Sequence, residues 1–252
     1  MKKTVVSRRK DLSPKFENGL SRTEILAGSY DQVKLNYCVM EDKTSWKPEL
    51  YKFEDKCQIF IFVKGTGYIT TSQRAYNITE AAVFVPKFDT DDFVIYAGKD
   101  LEFVQIIATM GKYDQLAIKA GAITLPRFRL MSEGWTYDED FKAPGTQSCS
   151  LVEHRSLGRF SVGATFGKGP SCNGTHTHPD LEQWYFVLPG SRFTYTSEGD
   201  TVVMEEGDVS YTGHGVPHSS ESFAGEQLDY IWFELCEDGY PNELPEDVWP
   251  MK

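Results

Sequence analysis

Gly174-Thr175-His176-Thr177-His178-Pro179-Asp180-Leu181-Glu182-Gln183 is the stretch on which the fold and the chemistry both turn. Two histidines flank a single residue. On an extended strand successive side chains face opposite ways, so His176 and His178 are expected on one face. An acidic or amide side chain follows at 182 or 183, then the apolar run Trp184 to Leu188, then the turn Pro189-Gly190. Downstream lies Gly207-Asp208-Val209-Ser210-Tyr211-Thr212-Gly213-His214-Gly215-Val216-Pro217-His218. Neutral imidazoles are common metal ligands. Two on one strand face, a carboxylate or amide beside them and a third imidazole later suit one divalent ion.

Around this stretch the chain reads as all-β. Strand-like runs occur at Gln58 to Val63, Tyr68 to Thr71, Ala82 to Val85, Phe93 to Tyr96 and Leu101 to Ala108. They recur at Cys149 to Val152, Arg159 to Phe166, Gln183 to Leu188, Phe193 to Thr196, Val202 to Met204, Val209 to Tyr211 and Leu228 to Leu235. Spacings of about 8 to 12 residues predict a sandwich or barrel. The exception is Tyr113 to Ala120, where a short helix is expected. Residues 1 to about 24 read as irregular, and Pro126 to Pro144 reads as linker.

The strands fall into two copies of one module. Gln58 and Gly65 align with Gln183 and Gly190 at an offset of 125. Pro86, Asp91 and Leu101 align with Gly213, His218 and Leu228 at 127. The two-residue difference falls in a turn region, where insertions cost little. Tyr51 and Phe53 stand where His176 and His178 stand, and the N-terminal half has no histidine. The first copy therefore reads as structural or partner-facing, without metal. The expected layout is a degenerate barrel over 25–110, a linker over 111–146, a metal-binding barrel over 147–236 and a tail over 237–252.

Composition narrows the partners. The chain has 252 residues, a formal net charge of −11, 40% hydrophobic and 25% charged residues. The acidic balance argues against nucleic acid and anionic membranes. No run approaches the roughly 20 apolar residues of a membrane span. No apolar core follows the basic residues at the N-terminus, so no secretory signal is expected. Five cysteines, widely spaced and without a Cys-x-x-Cys pair, favour reduced thiols and a cytoplasmic location. Cys172 lies four residues before His176, although a small buried thiol is its commoner role.

The second half resembles the cupin superfamily. The family's first motif reads Gly-x5-His-x-His-x3–4-Glu-x6-Gly, and His176, His178 and Gly190 match it. The second reads Gly-x5-Pro-x-Gly-x2-His-x3-Asn, and Gly207, Gly215 and His218 match it, with Gly213 and Ser222 in place of the proline and asparagine. The resemblance spans about 160 to 235, and 45 to 110 in degenerate form. It implies a bicupin: two tandem antiparallel β-barrels of the jelly-roll (double-stranded β-helix) type, one of them bearing a metal such as Mn, Zn, Fe or Ni.

The fourth ligand is the point of departure. Register from Gly190 and the parallel Gln58 favour Gln183; the shorter spacing option and the usual ligand type favour Glu182. Adjacent strand residues face opposite sides, so only one can join the ion. The expected ligand set is His176, His178, Gln183 and His218. A neutral amide leaves more charge on the ion, which suits Lewis-acid work. The expected catalytic groups are His214, Glu182 and Tyr185, with Arg159, Arg192 and Lys168 as the nearest cations for a carboxylate and His154 as a surface residue.

Taken together, these features predict a metal-dependent isomerase or lyase acting on a sugar, uronate or related acid, similar to bicupin uronate isomerases. The alternatives are a dioxygenase or decarboxylase, an aminohydrolase of the ureidoglycine type, and a non-catalytic binder of small metabolites. Exposed edge strands make a homodimer the default assembly.

Overall fold

The computed structural model describes residues 5–121 and 123–240. The tail expected over 237–252 therefore lies largely outside the described residues. The described residues divide into two compact units, one of residues 10–115 with 123–133, the other of residues 5–9 and 116–121 with 134–240.

The chain opens with β1 (Val5–Ser7) and a short 3-10 turn at Arg9–Asp11. The first unit holds β2 (Leu20–Ile25), β3 (Val33–Met40), β4 (Ser45–Trp46), β5 (Lys56–Thr71), β6 (Ala75–Ile78), β7 (Ala82–Val85), β8 (Phe93–Thr109) and β9 (Arg127–Leu130). Between β8 and β9 runs α1 (Lys112–Gly121), the helix expected there. The main sheet has the order β2-β3-β8-β5-β7-β9, with β4 added on β8 and β6 on β5. β5 and β8 pair along most of their length, with register shifts between Phe62 and Gly67. Gly65 sits in that irregular stretch at φ +82°, and a Cβ there would lie 2.1 Å from the Asp100 carbonyl oxygen, so only glycine fits.

Alternation along these strands sends one face into an aromatic core. Phe60, Phe62, Phe84, Phe93 and Phe103 pack with Ile69, Ile95 and Leu101, all essentially inaccessible to solvent. Phe60 meets Phe93 edge-on at 5.4 Å, and Phe62 lies 5.3 Å from Phe103.

The second unit continues with β10 (Trp135–Tyr137), β11 (Gln147–Leu157), β12 (Phe160–Phe166), β13 (Ser171–His176), β14 (Leu181–Val187), β15 (Arg192–Ser197), β16 (Asp200–Glu205), β17 (Val209–Thr212), β18 (His218–Ser222) and β19 (Tyr230–Cys236). A seven-stranded sheet of order β1-β17-β14-β19-β12-β11-β10 accompanies a four-stranded sheet of order β13-β18-β15-β16. All pairings are antiparallel, so the unit is a jelly roll. Its core holds Tyr185, Val187, Phe193, Tyr195, Met204, Leu228, Tyr230 and Trp232. Trp232 packs on β12 so closely that a Cβ at Gly163 would lie 2.0 Å from its ring, which is why a glycine interrupts that strand.

Two stretches differ from the sequence reading. The supposed linker over 111–146 is mostly structured: beyond the helix, β9 pairs with β7 and β10 pairs with β11. The N-terminal stretch, read as irregular, supplies β1 to the second unit's sheet, with Val5 opposite Tyr211. The strands β1, β9 and β10 are all too short for a periodic pattern to show.

Candidate metal centre

His176 ends β13, His178 lies two residues on in the following turn, and His218 opens β18 directly opposite His176. Their ring centroids are 4.9, 4.4 and 5.6 Å apart, and their ligand-capable nitrogens all lie within 4.8 Å of one another. Each of two rings is fixed by its own loop. His176 Nδ1 lies 2.7 Å from the Gly174 carbonyl, and His218 Nδ1 lies 2.9 Å from that of Val216. An Nδ1–H donating to a carbonyl leaves Nε2 as the free acceptor. The His218 Nε2 is buried and has no hydrogen-bond partner among the described residues. Burial lowers the pKa of His176 and, with the neighbouring His176, that of His218 to about 3. Both imidazoles are neutral at physiological pH, the form that binds a cation.

β14 brings up the fourth group. Gln183 is buried, donates from Nε2 to Glu234 Oε1 at 2.6 Å, and leaves Oε1 without a partner. Burial raises the pKa of Glu234, but His154, the charge of His178 and the Gln183 amide outweigh it, so the carboxyl is held below its usual range. A fixed negative charge thus orients the amide, with its oxygen free. Three imidazoles and an amide oxygen form a donor set suited to a divalent ion of the Zn or Mn type. The unpartnered His218 Nε2 and Gln183 Oε1 are what such an ion would satisfy.

His176, His178 and Gln183 border a cavity of about 30 Å³, shared with Tyr137, Glu139, Lys142, Asn173, Tyr185 and Tyr230. That is room for roughly two waters. Tyr185 stacks on Tyr230 at 4.1 Å, and Asn173 donates to the Tyr230 hydroxyl at 3.0 Å while its own Oδ1 stays unpartnered. Burial raises both phenol pKa values, reinforced at Tyr185 by Tyr230 and Tyr195, so these hydroxyls stay protonated.

Of the three expected catalytic residues, only Tyr185 lines this cavity. Glu182 precedes Gln183 on β14 and so faces the other side, where its carboxylate accepts from the Tyr211 hydroxyl and contacts His214 Nδ1 at 2.8 Å. Glu182, His214 and Glu237 form a separate cluster. The hydrogen bond to Glu182 raises the His214 pKa. None of the expected carboxylate-binding cations reaches the cavity. Arg192 pairs with Glu226 and Glu205, Arg159 reaches the Glu237 carbonyl, and Lys168 sits on a bridge with Gln227. Cys172 is a free thiol outside the histidine cluster.

Sequence reasoning missed Lys142, Glu139, Asn173 and Glu234. Glu234 had one available signal, because it faces Gln183 across the β14–β19 ladder once those strands are paired. His154, read as a surface residue, is half exposed but lies 3.7 Å from Glu234.

The Cupin domain family matches residues 164–234, the segment that carries all four candidate ligands. Solved structures share the two-barrel plan over nearly the whole chain. Oxalate decarboxylase from Lactobacillus farciminis, in a formate complex, superposes with a TM-score of 0.67 at 10% identity, covering 98% of this chain and 96% of that one. Residues 164–234 are a cupin domain, and the chain as a whole has the bicupin fold. Similar agreement is found with a glyoxylate-induced protein from Pseudomonas aeruginosa (TM-score 0.70, 14% identity, 91% and 88% coverage). Protein Ylba from E. coli gives 0.68 at 9% identity, with 94% and 92% coverage. At these identities the likeness concerns the fold alone. No curated protein matches this bicupin in sequence. Among its described residues no helix is long and apolar enough to cross a membrane.

Proposed function

We propose that this bicupin is a metal-dependent lyase or hydrolase acting on a short carboxylic acid, with His176, His178, His218 and Gln183 holding one divalent ion in the second barrel. The observation that carries the reading is the pair of buried, unpartnered ligand atoms, His218 Nε2 and Gln183 Oε1, on a donor set without a carboxylate. Leaving such groups unsatisfied costs on the order of 1–3 kcal/mol each, and a cation removes that cost. A bound ion would supply Lewis acidity to a carbonyl or carboxylate oxygen.

The chain's own residues supply the rest. Tyr185 and Tyr230, kept protonated by burial, donate hydrogen bonds to a substrate oxygen. Asn173 Oδ1 accepts from a hydroxyl or amine. The Glu139–Lys142 ion pair brings both signs of charge to the cavity wall. Phe141, stacked on His176 at 4.3 Å, screens the centre from water. A cavity this small favours a two- or three-carbon acid over a hexuronate. The names of the oxalate decarboxylase and the glyoxylate-induced protein, both referring to two-carbon acids, support that size class. Five free thiols among the described residues support a reducing compartment such as the cytoplasm. The exposed Trp135 on the edge strand β10 supports a homodimer.

The test is metal analysis of the full chain purified without added metal, beside His176→Ala and His218→Ala. Wild type should carry close to one equivalent, and either variant less than a tenth of that. Unchanged metal content in both variants refutes the assignment. Release of CO2 or ammonia from short 2-oxo, 2-hydroxy and 2-amino acids then separates lyase from hydrolase.

A further inference from the structure

Residues 138–146, between β10 and β11, form a strap across the mouth of the metal centre. Its backbone is tied to β13: Gly174 N donates to the Phe141 carbonyl at 2.8 Å and Ala143 N to that of Cys172 at 2.9 Å. The hydroxyls of Thr146 and Ser171, 2.6 Å apart, pin its far end. The strap places Phe141 against His176 and turns Lys142 inward. The Lys142 side chain is only 4% exposed, yet its ammonium meets a single carboxylate, that of Glu139, and the Ser148 hydroxyl. Its charge lies 5.7 Å from the centre of the Tyr137 ring and 5.9 Å from that of Phe141, the ring stacked on His176. A lysine rarely goes this deep without a purpose, because burying an ammonium is costly.

We propose that Lys142 is the anchor for a substrate carboxylate, and that Glu139 is the resident counter-ion which the substrate displaces. The inference rests on the metal assignment above and names the substrate class for that same site. Charge supports it. The ion's two charges and Lys142 are opposed inside the cavity by Glu139 and Glu234. When Glu139, itself partly exposed, swings out to solvent, two positive charges remain. A dianion of a short dicarboxylic acid would neutralise them, one carboxylate accepting from Lys142 Nζ and the other facing the residues that would hold the ion. A monoanion leaves one charge uncompensated. The adjacent Asn173 Oδ1, an acceptor, makes the opposite wall unfavourable to a third carboxylate.

The experiment uses the full chain loaded with Mn(II) and titrates oxalate and oxamate, which differ by one carboxylate-to-amide change. A charge-assisted hydrogen bond in a buried site predicts that wild type binds oxalate about 10- to 100-fold more tightly than oxamate. Lys142→Met should bring the two affinities within about threefold of each other while Mn(II) content stays at the wild-type level, and Lys142→Arg should keep part of the preference. A role limited to holding the strap would weaken both ligands equally and leave their ratio alone. The inference is overturned if Lys142→Met keeps the oxalate preference, or if Mn(II)-loaded wild type shows none. Failure of wild type to hold Mn(II) is read separately, from metal content, and removes the ligand assignment together with this anchor.

Discussion

Replacing Gln183 with leucine separates a metal ligand from a structural amide. In the metal-free protein two effects oppose each other. The variant loses the 2.6 Å hydrogen bond to the Glu234 carboxylate, worth about 1.5–3 kcal/mol for a bond to a charged group. It also loses the buried Oε1 that has no partner, whose desolvation costs about 1–3 kcal/mol. Leucine is of similar volume and apolar, so the net change should stay within about 2 kcal/mol. In the loaded protein the balance differs. Losing one of four protein donors should weaken binding by at least the ~10–100-fold seen when a group behind a ligand is lost. At saturating metal that removes about 1.4–2.8 kcal/mol of the ion's stabilisation. At ~2–4 °C per kcal/mol, the metal-induced rise in Tm should shrink by about 3–10 °C. The assay is thermal unfolding of chelator-treated protein with and without excess Mn(II), run beside Glu182→Gln. Glu182→Gln should keep the full metal-induced rise. If Gln183→Leu keeps it too, Gln183 is not a ligand; if Glu182→Gln alone loses it, the ligand is Glu182.

Two further predictions concern the surroundings. His214 takes a raised pKa from its hydrogen bond to Glu182. Its contribution is therefore fully present below about pH 6.5, the unfolded value, and is lost as pH rises through the higher folded value. With its side chain 52% exposed, that contribution stays below about 1 kcal/mol, so His214→Ala should differ from wild type at pH 5.5 and match it at pH 9 in urea unfolding, with metal content unchanged throughout. Asp208 is buried and accepts from Arg8 Nη1 at 2.7 Å, Arg9 N at 3.0 Å and Glu205 N at 3.1 Å. Asp208→Ala should cost about 2–4 kcal/mol and release the N-terminal arm to protease before the barrel itself is cut; simultaneous cleavage of arm and barrel would contradict that clamp.

The barrels and the histidine cluster were legible because each rests on a local pattern. Period-two alternation gives the strands, and glycine gives the turns. The aligned Gly65 and Gly190 both take positive φ, at 82° and 76°, one at an irregularity inside β5 and the other in the turn after β14. Alternation also separates Gln183 from Glu182. The strap was not legible, because residues 138–146 contain Pro144, Gly145 and four charged side chains, a composition that also describes a solvated linker. What makes it part of the site is pairing with β13, some thirty residues away, and no spacing rule encodes that. The short strands β1 and β9 escaped for the same reason. Arg127–Leu130 is half-buried at every position, so it shows no alternation to read.

The two copies of the module contain their own control. Gln58 and Gln183 occupy the same position in the repeat, and both are buried. In the first barrel the Gln58 amide is fully used: Nε2 donates to the Glu49 carbonyl at 2.6 Å and Oε1 accepts from Gln105 at 2.8 Å. In the second, the donor goes to Glu234 and the oxygen is left open. The difference lies in the neighbours. At the offset of 127, Ile107 and Gln105 stand where Glu234 and Trp232 stand, so the second copy carries an indole where the first has the amide that satisfies the oxygen, and a carboxylate that claims the amide nitrogen. Three imidazoles replace the aromatic and acidic side chains at the other corners, while the first copy stays packed with phenylalanine. In the first barrel the matching amide has both ends paired; in the second, open acceptors border a void. A fold that retains that cost in one copy and not in its twin is arranged around something those acceptors hold.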